Sequence, residues 1–307
     1  MLDNIEVKKL ILKFPKLSNH LVEKDILLSE ILEYIVILFD AQKWSNNYYL
    51  CGGTSLSKCY KITNRLSEDI DLSIFGYRGH SAKLIIKEIS VLIDQMEKDN
   101  KIIIKSRDDF WNTSRTFLTC KFEYKNHEFS FDVKHINFEV GLESIQKKSI
   151  YNVVEKHYKK ELELKVLVPV IDIHHIVAEK LLVFDKKYKN EKLGTGMDDE
   201  YINKRLFRHV YDVFMIFDKE LINLVDQNIL LINEIFTKIS DEEKNFSTPL
   251  SQINLFQEDF FTLENKRVLK YILDSECYGN VKINDIINFY NQMGEKFKDI
   301  LNDKITK

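Results

Sequence analysis

An α+β half followed by a helical half is the organisation predicted by three features of the 307-residue sequence. Alternating, β-branched stretches are confined to the first half. From about Asp172 onward the apolar residues recur almost wholly at helical spacing. The chain also holds only 9 Gly and 3 Pro against 30% charged residues, which disfavours disorder and small turn-rich sandwiches.

The elements follow in order. Asn19 to Ala41 carries Leu21, Ile26, Leu27, Ile31, Leu32, Ile35 and Leu38 at helical spacing, so a helix is expected there after a shorter helical start. Asn46-Asn47 breaks that pattern, and Tyr48 to Cys51 reads as a buried strand running into the tight turn Gly52-Gly53. Thr54 or Ser55 is expected to cap a helix reaching Lys61. Asp69 to Phe75 is β-branched and alternating, with Asp69, Asp71 and Ser73 on one face and Ile70, Leu72 and Ile74 on the other, which makes a strand with one acidic face. A helix is expected from about Ser81 to Glu97, then strands over Lys101 to Lys105, Arg115 to Tyr124 and Glu128 to Phe138, the last two joined as a hairpin through Lys125-Asn126-His127. Five helices complete the chain: Asp172 to Tyr188, Tyr201 to Lys219, Leu221 to Ile239, Glu264 to Ser275 and Asn284 to Leu301.

Composition narrows the function. With 45 Lys+Arg against 48 Asp+Glu the net charge is −3, so any polyanion contact must come from a local patch. One candidate patch gathers Lys180, Lys186, Lys187, Lys189, Lys192, Lys204, Arg205 and Arg208; an ordinary solvated helix face is the alternative. Cys51, Cys59, Cys120 and Cys277 form no CxxC pair and read as reduced, buried thiols of a cytoplasmic protein. The apolar runs Tyr34 to Phe39 and Val166 to Ile171 fall well short of the roughly 20 residues a membrane-spanning helix needs, and no signal peptide is expected. His175 and Glu179 lie four apart on a helix, but with no third ligand at a usable spacing a structural role is favoured.

The segment that carries chemistry is Tyr48 to Phe75. A strand ending in Gly52-Gly53 lets a bulky anion approach the backbone, the helix that starts there points free N–H groups at it, and Thr54 and Ser55 add hydroxyls. Asp69 and Asp71, at i and i+2 of a strand, point the same way about 6.6–7 Å apart along the chain, a separation that divalent ions can bridge. Such hard oxygen ligands suit Mg²⁺ held partly by substrate phosphates. The segment fits neither a Walker A loop nor a G-x-G-x-x-G fingerprint.

GGTSLSK followed by RLSEDIDL resembles the AbiEii/AbiGii family of nucleotidyltransferase-like toxins, within the DNA polymerase β-like nucleotidyltransferase superfamily. The residues carrying the resemblance are Gly52, Gly53, Thr54, Ser55, Leu56, Lys58, Arg65, Ser67, Asp69, Asp71 and Leu72, then Ala178-Glu179-Lys180-Leu181 and Arg208-His209-Val210-Tyr211-Asp212, with His209 where the family usually has Asp. The resemblance implies a mixed sheet of the nucleotidyltransferase fold with flanking helices. It is divided here into a helical segment at 1–46, a nucleotidyltransferase domain at 47–165 and a helical domain at 166–307. It implies transfer of NMP from an NTP to an acceptor hydroxyl. That acceptor is expected at the tRNA 3′ end, in a toxin of a toxin–antitoxin or phage-defence pair with a cognate antitoxin. A protein acceptor, or a nucleotide-binding module without turnover, is the alternative. Asp69, Asp71 and a third acid, for which Asp132 is the candidate, would hold Mg²⁺ or Mn²⁺, and Asp132 would help deprotonate the acceptor. Gly52, Gly53, Thr54, Ser55, Lys58, Arg65, Ser67, Lys180 and Arg208 would bind the nucleotide, Lys180 at the triphosphate, while Asp212 orients it or the acceptor.

Overall fold

The computed structural model describes residues 17–43, 45–75, 82–111, 116–135, 146–149, 166–192, 199–242, 249–257, 260–277 and 279–303, with 8, 9 and 12. The chain divides into two compact units, Met1–Ile171 and Asp172–Lys307. Parts of the expected helix start at Ser81, of the strands at Arg115 and Phe138, and of the polar stretch Lys189 to Glu200 lie outside the described residues.

Among the described residues the first unit is built on a seven-stranded mixed sheet of order β3-β4-β5-β2-β1-β7-β6. Its elements are α1 (Asn19–Asp40), β1 (Tyr48–Leu50), the short helix α2 (Gly52–Ser55) continued by a π turn over Leu56–Tyr60, β2 (Asp69–Ile74), α3 (Ala82–Lys98), β3 (Ile103–Trp111), β4 (Thr116–Tyr124), β5 (His127–His135), β6 (Gln146–Ser149) and β7 (Leu167–Val170). Helix α1 starts where Ser18 caps it, its Oγ accepting from the Leu21 amide at 3.2 Å. The β4–β5 hairpin turns tightly because Lys125 and Asn126 both take positive φ, 48° and 66°, the backbone of a two-residue turn that matches strand twist.

One face of the sheet is apolar. Ile70, Leu72 and Ile74 of β2, Leu118, Cys120 and Phe122 of β4, and Phe129, Phe131 and Val133 of β5 pack with Leu28, Ile31, Leu32, Ile35 and Phe39 of α1 and Ile85, Ile86, Ile89 and Ile93 of α3. Each such side chain contributes about 1.5–3 kcal/mol by leaving water. Because successive strand residues face opposite ways, this burial fixes which face the alternating polar residues take. Strands β6 and β7 extend the sheet beyond the expected elements: the run Val166 to Ile171 supplies β7, which pairs parallel with β1 at Leu50↔Val170 and antiparallel with β6. Strand β3 is also longer than the expected Lys101 to Lys105, and carries a register shift between Ile104 and Ser106.

The second unit contains α4 (Ile173–Lys192), α5 (Asp199–Ile216, followed by a π turn Phe217–Leu221), α6 (Val225–Glu242), two 3₁₀ turns (Leu250–Gln252, Asn254–Phe256), α7 (Leu263–Ser275) and α8 (Ile283–Asp303). Its core is aromatic: Phe184, Tyr188, Phe207 and Phe260 meet edge-to-face or stacked at 5.3–6.1 Å, and Phe256 stacks on Phe297 at 4.5 Å. Buried Asp185 fixes the 3₁₀ region by accepting from the backbone N–H and side-chain amide of Asn254 at 2.7 and 2.8 Å. Fold class is therefore α+β, a mixed sheet with flanking helices followed by a helical unit. No helix among the described residues is long and apolar enough to cross a membrane.

Candidate active site

The polar face of β2 lies opposite its apolar one, as the alternation of Asp69 to Phe75 predicts. Strand β5 runs parallel beside it, in the register Asp69↔Ser130, Asp71↔Asp132, Ser73↔Lys134. Neighbouring strands are about 4.8 Å apart, so Asp71 and Asp132 stand side by side, with Asp69 two residues back along β2. Thr119 on β4 and Asp108 on β3 extend the Asp71–Asp132 row across the sheet. Sequence spacing placed Asp69 with Asp71; the parallel β2–β5 pairing adds Asp132.

The Gly52-Gly53 turn is pressed against this row. Gly52 has φ +67°, and a Cβ there would lie 2.0 Å from Asp71 Oδ2, so conformation and space both demand glycine. A Cβ on Gly53 would come within 2.7 Å of Arg65 Nη2 and 3.3 Å of Ser67 Oγ. The turn is tied to β2 by the Cys51 amide donating to the Asp71 carbonyl at 2.9 Å.

The hydroxyls do something other than expected. The helix begins at Gly52 with Cys51 at its N-cap and no side-chain cap, so Thr54 and Ser55 lie inside it rather than capping it. All three hydroxyl residues, Thr54, Ser55 and Ser67, are buried. Thr54 Oγ1 donates to the Asp69 carbonyl and takes a 2.7 Å hydrogen bond from Ser67 Oγ, while Ser55 Oγ donates to the Gly52 carbonyl at 2.8 Å. These side chains shape the turn. Lys58 is likewise inside: with 0% side-chain exposure it pairs with the equally buried Asp25 of α1 at 2.6 Å and donates to the Asp25 carbonyl at 2.9 Å. An expected phosphate contact is thus an interior ion pair, and its partner is a residue that sequence reading did not single out. Arg65, also buried, donates to the Leu66 carbonyl at 3.3 Å and lies beside Gly53.

The carboxylates fit a hard divalent cation in one specific respect. Asp132 Oδ2 accepts from Ser130 Oγ at 3.3 Å, while its Oδ1 is buried with no hydrogen-bond partner, the kind of atom a cation satisfies. Among the described residues no three His, Cys, Asp or Glu side chains are gathered so that they alone could hold a metal ion. Mg²⁺ commonly takes one or two carboxylates and completes its shell with water and substrate phosphates, so an open carboxylate row is compatible with it.

In the second unit the motif residues are paired. Lys180 Nζ meets Asp212 Oδ2 at 2.7 Å, both buried. Tyr290 donates to the Val210 carbonyl at 2.7 Å, and burial with the nearby Asp212 charge raises its pKa well above the usual phenol value. Arg208 pairs with Glu276 at 2.6 Å. Within the basic patch Lys189 pairs with Asp185 at 2.8 Å, whereas the side chains of Lys192, Lys204 and Arg205 lie outside the described residues. The buried His175 faces Glu179 at 3.6 Å. All four cysteines are buried and unbridged; burial pushes the Cys59 thiol up to about 12 against the pull of Lys148, Lys58 and Lys61, so it stays protonated.

A strand, a glycine turn and a carboxylate row of this kind define a nucleotidyltransferase class of site. The family model described as nucleotidyl transferase AbiEii toxin, type IV toxin–antitoxin system, matches residues 36–274, and the chain belongs to that family. It is a nucleotidyltransferase, and membership implies a nucleoside triphosphate substrate and an antitoxin partner. Similar solved structures include JHP933 from Helicobacter pylori, at 15% identity and TM-score 0.39. A second H. pylori protein, assigned as a nucleotidyltransferase, matches at 14% and 0.43. Each match covers 90% of this chain and 96% of the other. Comparison with curated proteins finds no match. Family membership rests on the family model alone.

Proposed function

We propose that this chain transfers a nucleoside monophosphate from an NTP to an acceptor hydroxyl at the 3′ end of tRNA, with Mg²⁺ held by Asp69, Asp71 and Asp132, as the toxin of its pair. The observation that carries the reading is the register of Asp71 with Asp132 under a glycine turn pressed onto Asp71. The Gly52-Gly53 backbone and Arg65 receive the triphosphate, while Thr54, Ser55 and Ser67 keep the turn in shape. The acceptor oxygen bonds to the α-phosphorus, the α–β anhydride bond breaks and pyrophosphate leaves; the hydroxyl proton passes to Asp132. The bound Mg²⁺ would supply charge neutralisation on the phosphates, which such transfers need more than covalent help. Lys180 would neutralise charge on the leaving group and Asp212 would orient the nucleotide or the acceptor, as the resemblance implies.

The test incubates the purified protein with each of four α-labelled triphosphates, Mg²⁺, and either total tRNA or lysate protein. Label should enter tRNA with release of pyrophosphate, and chelator, Asp69→Ala or Asp71→Ala should abolish it. Label on protein would move the acceptor class. Growth arrest by both aspartate variants equal to that of the parent would sink the catalytic reading.

A further inference from the structure

Helix α1 grips both limbs of the candidate site with two consecutive residues. Asp25 holds Lys58 in the π turn that follows Gly52-Gly53, and Lys24 pairs with Glu68, the residue preceding Asp69, at 3.1 Å while lying over the Phe129 ring of β5 at 5.4 Å. Both lie ahead of residues 36–274, the part that the family pattern covers.

The Asp25–Lys58 pair is an expensive way to fill an interior. Two wholly buried charges of this kind are matched or exceeded in stability by apolar residues of the same volume. What the pair supplies instead is direction, because Lys58 Nζ is attached at two points of one residue, the Oδ1 at 2.6 Å and the backbone carbonyl at 2.9 Å. Its segment is a π turn, closed by the Ile62 amide donating to the Leu56 carbonyl at 3.0 Å and by Lys61 at φ 61°. A widened turn inside a helix is a recurrent feature of functional sites. The turn it carries has no slack: a Cβ on Gly52 would already overlap the Asp71 carboxylate.

We propose that Asp25 is a positioning residue for the nucleotide site: through Lys58 it sets how closely the Gly52-Gly53 backbone approaches Asp71, and hence where the triphosphate sits. The proposal rests on the nucleotidyl-transfer reading above.

The experiment measures thermal unfolding and equilibrium binding of ATP, GTP, CTP and UTP with Mg²⁺ for the full chain, Asp25→Asn and the double variant Asp25→Leu/Lys58→Met. The double variant should recover the thermal stability of the parent yet bind its nucleotide about tenfold more weakly, with KM for the nucleotide raised more than kcat is lowered, a loss within the roughly 100-fold that a misplacement of about 1 Å far from the chemistry can cause. Asp25→Asn, which keeps an oxygen for Lys58, should fall between. Parental affinity in a stable double variant overturns the positioning role alone. A parent that binds none of the four nucleotides overturns the nucleotidyl-transfer reading and this role with it. A measurement on the unaltered protein stands beside the variants: bound nucleotide should slow amide exchange around Asp25 in α1 as well as at Gly52–Tyr60, and protection confined to the turn contradicts the proposal.

Discussion

Two buried lysine–aspartate pairs, one in each unit, share a geometry and differ in setting. Lys58–Asp25 closes at 2.6 Å with both side chains at 0% exposure, and Lys180–Asp212 at 2.7 Å with 6% and 0%. Both lysines belong to family motif blocks. In the second pair both partners do, whereas Asp25 lies outside the matched residues. The difference teaches that a lysine in a motif block can be held by an interior carboxylate whether or not that carboxylate belongs to the motif. The small exposure of Lys180 is also the only opening to solvent that either pair shows.

Removing one partner at a time puts that contrast to its strongest test. Lys58→Ala removes the cation paired with the buried Asp25 carboxylate and should cost about 3–5 kcal/mol of stability, read by urea unfolding. Lys180→Ala should cost less, since its site has some access to water; equal losses would erase the distinction. Replacing the second pair together, as Lys180→Met/Asp212→Leu, should leave stability near the parent while lowering transfer about a hundredfold, the scale of losing a group that stabilises transition-state charge. If transfer survives, Lys180–Asp212 is a brace like the first pair.

The sequence made the acid face of β2 legible, because the alternation of Asp69 to Ile74 leaves only one way to bury Ile70, Leu72 and Ile74. The five C-terminal helices follow from period alone. Register between strands distant in sequence is not a local property, so the pairing of Asp71 with Asp132 became visible only in the sheet. Strand β7 was hidden because a short apolar run containing Pro169 carries no periodicity. Lys58 misled for a different reason. Its place among the nucleotide-binding residues came from the family resemblance alone, and nothing in Asp25, one acid among many on an amphipathic helix, signals a buried partner. The hydroxyls of Thr54 and Ser55 misled similarly, since Gly52 at positive φ starts the helix earlier than a side-chain cap would.

Partly exposed pairs in the second unit should matter less than either buried one. Arg208→Ala breaks the contact with Glu276, whose side chains are 19% and 16% exposed, and should cost about 1 kcal/mol. The smallest effect is expected from His174, where charge is held by geometry rather than by burial. Asn228 donates from Nδ2 to the carbonyls of Leu221 and Asn223, at 3.1 and 2.9 Å, which turns its Oδ1 toward His174 Nε2 at 3.0 Å. Asp172, which caps α4 by accepting from the His174 amide, presents Oδ1 to Nδ1 at 2.6 Å. With an acceptor at each ring nitrogen the imidazolium is the form that satisfies both. Burial by itself disfavours that charge, but the hydrogen bonds to Asp172 and Asn228 and the Asp172 charge outweigh it and raise the pKa above its ordinary 6.5. A raised histidine stabilises fully below the unfolded value and loses that contribution as pH climbs through the folded one. The parent should therefore lose stability relative to His174→Gln as pH climbs from about 6.5 through the raised folded-state value, measured as Tm against pH. Parallel curves for parent and variant would mean that the imidazole is neutral in the fold, and that α4 and α6 are joined there by an uncharged contact.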